Sequence, residues 1–330
     1  MWYILSLLAL LCWSGSDIFS KVGTRNNDKN SHWKVVFAVG LVMGIHFAIT
    51  LIGSAIINST VGLEALEESS VGKILASLFY TDFVFMDFVR YLPVAGLYIF
   101  AMVIGYIGLR YIELSISSPI CNCSGALAFV LCLLFGVGSA REDLSLTVII
   151  AVVLIAIGIV ALGFIENMED EEVKQARQEK ANRKYAKSLL AFLLPIAYLI
   201  IDALGTVGDE LIFAIEDAEG NGIITDYAAN SAFELTFFLV AVFAFIWIKF
   251  VKKDKIFSGN KHFYLGGICE TIGQIFYMAV MFSDFSVGMV IISAYCALSV
   301  LWGRIFLREK LSWKHYAAIL TAFVGIVMLG

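Results

Sequence analysis

Residues 141–163 read REDLSLTVIIAVVLIAIGIVALG, and residues 308–330 read REKLSWKHYAAILTAFVGIVMLG. The two stretches lie 167 positions apart, and each joins a short charged segment to an apolar run ending in Gly-Ile-Val-x-Leu-Gly. A weaker match over 185 positions pairs Asp17 with Asp202. Repetition over this distance predicts two copies of one structural unit.

The composition of the chain is that of a membrane protein. It is 60% hydrophobic and 15% charged, with a mean hydropathy of +0.87, whereas a soluble domain has ~45–50% apolar and ~25% charged residues. Soluble enzymes and disordered or fibrous proteins are therefore excluded. The apolar residues form blocks of about 20, long enough for a helix to cross ~30 Å of hydrocarbon. The blocks predict ten helices, near residues 2–20, 34–57, 91–109, 115–137, 145–165, 188–208, 228–248, 262–282, 286–306 and 313–330.

Two copies spread over ten helices give five helices per copy. Because five is odd, the second copy must enter the membrane in the opposite direction. The predicted fold class is thus an all-α integral membrane protein with ten transmembrane helices in two inverted five-helix repeats. The repeats are expected over residues 1–165 and 188–330, joined by a charged cytoplasmic linker over 166–187. Inverted repeats are typical of secondary transporters, whose halves rock about a site near the bilayer midplane.

Lysine and arginine set the predicted orientation. The odd-numbered connections between helices carry 20 of the 23 Lys and Arg residues, and the other side carries 3. The positive-inside rule places the odd-numbered connections in the cytoplasm, so both termini are expected outside the cell membrane. Between the second and third blocks, apolar residues at helical spacing over 71–79 predict an amphipathic helix on the outer surface or over a cavity.

The helix count and the repeat resemble the drug/metabolite transporter superfamily, in its EamA-like branch. The first block contains WSGSDIFSK at residues 13–21, which is similar to that family's Trp-Gly-Ser-Asn…Lys opening with one extra residue. The segments Glu142–Ser145 and Glu309–Ser312 resemble its repeat endings. The resemblance implies a carrier of small metabolites with its cavity between the halves. Family members usually keep both termini in the cytoplasm, so the direction of transport is not inherited here.

Polar residues inside the apolar blocks are the candidate substrate or coupling groups, because an ionisable residue in hydrocarbon costs at least ~2.5–3.5 kcal/mol. Glu270 leads, with Gln274 and Tyr277 at i+4 and i+7 on the same helix face. Its carboxylate would bind a cation or a proton, or would bond to a neighbouring helix. The remaining candidates are His46, Asn122, Ser293, Tyr295, Asp202, Glu234, Trp13, Asp17 and Tyr98.

Several of these candidates have simpler interpretations. His46 would serve equally well as a hydrogen-bonding group between packed helices. Asp17 and Lys21 are spaced i, i+4 and would form an ion pair at the cytoplasmic end of their helix. Asn122 and Ser293 fall at equivalent repeat positions if Glu113 is matched to Asp284, which predicts either a pair about the repeat axis or close packing.

The leading functional hypothesis is a secondary active transporter of a small polar metabolite, such as an amine or an amino acid. It would work by alternating access, with proton coupling or exchange. A lipid-carrier flippase of the same fold and an ion channel are the alternatives. The chain lacks a phosphate-binding loop and a paired protease motif, so it is not expected to be an enzyme.

The expected partners are a small-molecule substrate, the lipid bilayer and protons, with a homodimer left open. With a net charge of −5, the chain is not expected to bind nucleic acid, whose phosphates require positively charged partners. No cofactor or metal is expected.

Overall fold

The structure is a computed structural model, and it describes residues 2–24, 28–111, 114–137, 145–168, 190–257, 260–283, 288, 291–292, 294–306 and 312–329. Over these residues the protein is helical, with no strand beyond an isolated bridge between Glu216 and Gly222. The first half contains α1 (Trp2–Thr24), α2 (Ser31–Thr60), α3 (Leu63–Glu67), α4 (Ser70–Phe79), α5 (Phe85–Tyr111), α6 (Leu114–Phe135) and α7 (Leu146–Met168). The second contains α8 (Leu190–Phe213), α9 (Asp226–Ile246) with a π-helical end (Trp247–Val251), α10 (Lys261–Ser283), α11 (Tyr295–Phe306) and α12 (Trp313–Leu329).

The all-helical prediction is confirmed, and each predicted apolar block overlaps one of the longer helices. Of the described helices, α1, α2, α5, α9 and α10 are long and apolar enough to cross a membrane. The predicted amphipathic helix is α4. Most of the predicted linker lies outside the described residues, as do the charged segments 141–144 and 308–311 and much of the ninth block before Tyr295.

Two helix boundaries differ from the prediction for a physical reason. α5 begins at Phe85 rather than near residue 91, and its first turn contains Asp87. An acidic side chain stabilises a helix N-terminus, although a search for apolar blocks stops at it. α8 continues to Phe213, past the predicted end at residue 208, because the helix includes the acidic residues Asp209 and Glu210 at which the apolar block stops.

Packing between the helices follows a symmetric pattern. Most of the larger contacts are retained when α1, α2, α5, α6 and α7 are exchanged with α8, α9, α10, α11 and α12, respectively. The contact of α6 with α7 is an exception, because the described residues of α11 and α12 make no contact of similar size. α1 packs on α10 as α5 packs on α8, α6 packs on α8 as α1 packs on α11, and α2 packs on α10 as α5 packs on α9. The pairs α2–α9, α6–α11 and α7–α12 map onto themselves.

The same symmetry reaches individual atoms between α7 and α12. A Cβ atom on Gly158 would lie 2.7 Å from the Cβ of Ala322, and one on Gly325 would lie 2.7 Å from Cγ1 of Ile155. Gly158 and Gly325 are 167 positions apart, as are Ile155 and Ala322. One contact is therefore made twice, and glycine is required because the helices approach too closely for a side chain.

Polar contacts join the segments between helices to one another at both ends of the helix bundle. At one end, Lys34 forms ion pairs with Asp28 at 2.6 Å and Asp254 at 3.0 Å, which joins the α1–α2 and α9–α10 connections. At the opposite ends of α2 and α9, Thr225 donates a 2.7 Å hydrogen bond to Asp82. This alternation agrees with helices that run back and forth across a bilayer.

Candidate binding cavity

A cavity with about 1020 Å³ of unfilled space, including its open mouth, lies among the helices of the two halves. Most of its lining comes from α1, α5 and α6 and from their counterparts α8, α10 and α11. The following residues, all of them candidates from the sequence, line it: Trp13, Asp17, Tyr98, Asn122, Asp202, Glu270, Gln274, Tyr277 and Tyr295.

Three carboxylates, those of Asp17, Asp202 and Glu270, belong to the cavity wall. No lysine, arginine or histidine occurs among the described residues that line it. Uncompensated negative charge in a low-dielectric site attracts cations strongly. The cavity is therefore chemically suited to a positively charged ligand or to protons.

Serine hydroxyls hold two of these carboxylates in place. Asp17 on α1 accepts 2.9 Å hydrogen bonds from Ser118 on α6 and Ser299 on α11. Asp202, its counterpart on α8, accepts a 2.6 Å bond from Ser124 on α6. Each aspartate thus comes from a different half of the chain and is fixed by a neighbouring helix.

Two polar neighbours of Asp17 have partners of their own. Lys21, which the sequence allowed as an ion-pair partner for Asp17, donates a 2.7 Å hydrogen bond to the carbonyl of Leu109. Asn122 donates to the carbonyl of Ser118 at 2.8 Å. Ser293, its predicted counterpart, lies outside the described residues.

Aromatic rings form a second part of the wall. The ring centroid of Trp13 lies 5.2 Å from that of Tyr277 and 5.9 Å from that of Tyr295. Tyr106 and Tyr198 also line the cavity. Aromatic faces near carboxylates bind organic cations through cation–π contacts of ~0.5–2 kcal/mol each.

Three enclosed polar atoms of lining residues have no hydrogen-bond partner among the described residues: Trp13 Nε1, Tyr106 Oη and Gln274 Nε2. Buried polar atoms are nearly always paired, so an unpaired set at a cavity wall is unusual. All three carry a proton to donate. They can serve a ligand that offers an acceptor oxygen.

Asp209 is a buried carboxylate that the sequence analysis did not select. It accepts hydrogen bonds from the hydroxyls of Tyr91 at 2.5 Å, Tyr98 at 2.7 Å and Tyr277 at 3.2 Å. Tyr98 and Tyr277 line the cavity, whereas Asp209 lies behind them. Its position seven residues after Asp202, on the same face of α8, was the available signal.

His46 and Glu234 are brought together away from the cavity. His46 Nδ1 lies 2.8 Å from Glu234 Oε1, and His46 Nε2 donates to the carbonyl of Leu78 at 3.0 Å. Asn230 donates to the same carboxylate at 3.2 Å. This arrangement matches the simpler interpretation of His46, a hydrogen-bonding group between packed helices. The histidine also ties α4 to the bundle.

Comparison with known proteins bears on the second half of the chain. Residues 221–330 match the model of the EamA-like transporter family. The resemblance to EamA-like transporters is thereby confirmed. A crystal structure of another protein superposes with a TM-score of 0.58 over 99% of this chain and 96% of that one, at 12% identity. That likeness concerns the fold alone.

No curated protein matches the chain significantly. The family match over residues 221–330 and the five helices apolar enough to span a membrane support a multi-pass membrane protein. Among the described residues, no group of three or more His, Cys, Asp or Glu side chains is placed to hold a metal ion.

Proposed function

We propose that the protein is a secondary active transporter that carries a small organic cation, an amine or an amino acid, by alternating access. The observation that carries the proposal is the cavity wall. It combines Asp17, Asp202 and Glu270 from both halves with aromatic rings, and no described lining residue is cationic. An ammonium group would replace its water shell with carboxylate oxygens and ring faces.

The proposed architecture is ten transmembrane helices in two inverted repeats, residues 1–165 and 188–330, with the linker between them. The symmetric packing of the helix pairs supports this architecture, as does the doubled contact of Gly158 and Gly325 across α7 and α12. A cavity lined by equivalent helices of both repeats can open to either side when the halves rock.

The unpaired donors of Trp13, Tyr106 and Gln274 extend the proposal from amines to amino acids. Carboxylates would hold the ammonium end of a zwitterion, and these donors would hold its carboxylate end. A simple amine would use only the acidic part of the cavity. Amines and amino acids are therefore compared separately in the binding experiment described below.

Protons are the proposed coupling partners. A ligand with one positive charge neutralises one carboxylate, and the other carboxylates in hydrocarbon are costly unless they bind protons. Exchange of protons for the substrate would keep the cavity near neutrality in each state. The proposed orientation is the one given by the basic residues, with the odd-numbered connections in the cytoplasm of a plasma-membrane protein.

The test is ligand-dependent thermal stability of the protein purified in detergent. The probes are primary amines, quaternary ammonium compounds, amino acids and nucleosides, applied to wild type, Asp202→Asn and Glu270→Gln. A ligand present at a hundred times its Kd stabilises by ~2.7 kcal/mol. We expect amines or amino acids to stabilise wild type, and both variants to lose most of that effect.

Glu210→Gln is the matched control, because Glu210 is a buried carboxylate on α8 that does not line the cavity. It should respond to ligands as wild type does. Stabilisation by neutral or anionic probes only, or stabilisation by cations that survives both cavity variants, would contradict the proposed substrate class.

A further inference from the structure

The cluster around Asp209 has no role in the proposed function so far, although it touches the cavity through two side chains. Asp209 and Tyr91 are fully buried, at 0% exposure. The Tyr98 and Tyr277 hydroxyls lie 2.7 Å from each other, and both point to the Oδ2 atom of Asp209. Tyr91 donates to the other carboxylate oxygen, Oδ1.

A count of protons shows what this geometry requires. An ionised carboxylate only accepts hydrogen bonds, and each phenol has a single proton to give. Three O–H donors converge on the two oxygens of Asp209, which suits the ionised form and offsets the cost of its burial. The protons of Tyr98 and Tyr277 are then held within the cluster, by Asp209, by the other phenol or, for Tyr98, by the hydroxyl oxygen of Thr206. Only their lone pairs remain for a ligand in the cavity.

Thr206 does not change this count. Its hydroxyl, 3.1 Å from that of Tyr98, donates its own proton to the backbone carbonyl of Asp202 at 3.1 Å. It is therefore an acceptor towards Tyr98 and supplies no proton to the phenols. The polarity of the cluster is set by the carboxylate of Asp209, because that group makes the strongest, charge-assisted bonds.

We propose that Asp209 is a positioning residue that fixes the hydrogen-bond polarity of the cavity. By holding the protons of Tyr98 and Tyr277, it makes both phenols acceptors, and the cavity then selects ligands that carry N–H donors. A protonated primary amine is favoured over a quaternary ammonium ion of equal charge, which has no donor. This inference rests on the proposed function, and it adds that selection depends on N–H groups as well as on charge.

The experiment compares two cations of the same charge, benzylammonium and benzyltrimethylammonium. Their Kd values are measured by calorimetry on wild type, Asp209→Asn and Tyr91→Phe. The amide of the Asn variant donates hydrogen bonds, so at least one phenol proton is released from the cluster. We expect the Kd ratio favouring benzylammonium to fall about tenfold in Asp209→Asn, the equivalent of one hydrogen bond.

Tyr91→Phe is the control, because it keeps Asp209 and removes the one phenol of the cluster that does not line the cavity. It should retain the wild-type ratio. A role that is only structural would weaken both ligands alike in Asp209→Asn. An unchanged ratio would therefore overturn the inference while leaving the proposed function intact. Failure of both cations to bind wild type would overturn the proposed function and this inference with it.

A second readout needs no ligand. Infrared difference spectra of wild type against Asp209→Asn should lack the C=O band of a protonated carboxyl at neutral pH, because Asp209 is ionised. A protonated-carboxyl band that disappears in the variant would contradict the assignment, since a protonated Asp209 would itself donate to a tyrosine.

Discussion

His46 and Glu234 share one proton between them. Nε2 of His46 faces the carbonyl of Leu78, which only accepts, so this nitrogen carries a proton. The short contact from Nδ1 to the carboxylate then needs one further proton, on either the ring or the acid. Both assignments make the pair neutral as a whole. Glu234, at 0% exposure, is therefore stable in the bundle only with its partner.

Removal of one member of this pair should be costly. We expect His46→Ala to destabilise the protein by ~3–5 kcal/mol, because it leaves a buried acid without its partner. The double variant His46→Ala with Glu234→Ala should lose less than the sum of the two single changes. Unfolding of the detergent-solubilised protein, followed by circular dichroism, measures all three.

Cavity ligands should still bind to Glu234→Gln, since Glu234 does not line the cavity. Loss of ligand binding in this variant with unchanged unfolding would show instead that the pair belongs to the transport site.

Most of the candidate residues chosen from the sequence line the cavity, because an ionisable residue in an apolar block needs either a hydrogen-bonding partner or a polar cavity. The sequence did not show which residues have a partner and which face a cavity. His46 and Glu234 form a hydrogen-bonded pair, whereas Asp17, Asp202 and Glu270 line the cavity.

Asp209 was missed for a different reason. The predicted sixth helix ends at residue 208, so Asp209 and Glu210 lay just outside the predicted transmembrane span. In the structure α8 runs on to Phe213, which places Asp209 inside the bundle. Partners such as Tyr91 lie more than a hundred positions away in the chain, and no local pattern contains that pairing.

At the scale of helices, the proposed repeat left a signal in the sequence because Gly158 and Gly325 make equivalent contacts that tolerate no side chain. Gly158 of α7 meets Ala322 of α12, and Gly325 of α12 meets Ile155 of α7. Which helices pack together was not visible, because that depends on distant surfaces. The amphipathic pattern of α4 predicted the helix, but not that His46 would hold it by the carbonyl of Leu78.

The equivalent contacts of Gly158 and Gly325 lead to the same expectation for both positions. Gly158→Ala and Gly325→Ala should each destabilise the protein by ~1–3 kcal/mol, because the added methyl group overpacks the α7–α12 interface. The two losses should be of similar size. Gly96→Ala on α5 is the control, since a Cβ there meets nothing within 4 Å, and it should leave thermal stability nearly unchanged. Equal tolerance at all three positions would contradict the close approach of α7 and α12.

At the scale of the whole molecule, the cavity lies where the two halves meet. Its acidic groups come from α1 in the first half and from α8 and α10 in the second, so the proposed movement of one half against the other would change the site itself. That property would separate the proposed carrier from a channel, whose pore stays open to both sides during conduction.

Counterflow in proteoliposomes tests the carrier claim most directly. Vesicles containing the purified protein are loaded with unlabelled amine, the one that best stabilises wild type, and uptake of the same amine in labelled form is measured. We expect uptake to saturate and to be faster with amine inside than without it, and Glu270→Gln to lose this acceleration. Uptake that neither saturates nor responds to internal amine would contradict alternating access and indicate a channel.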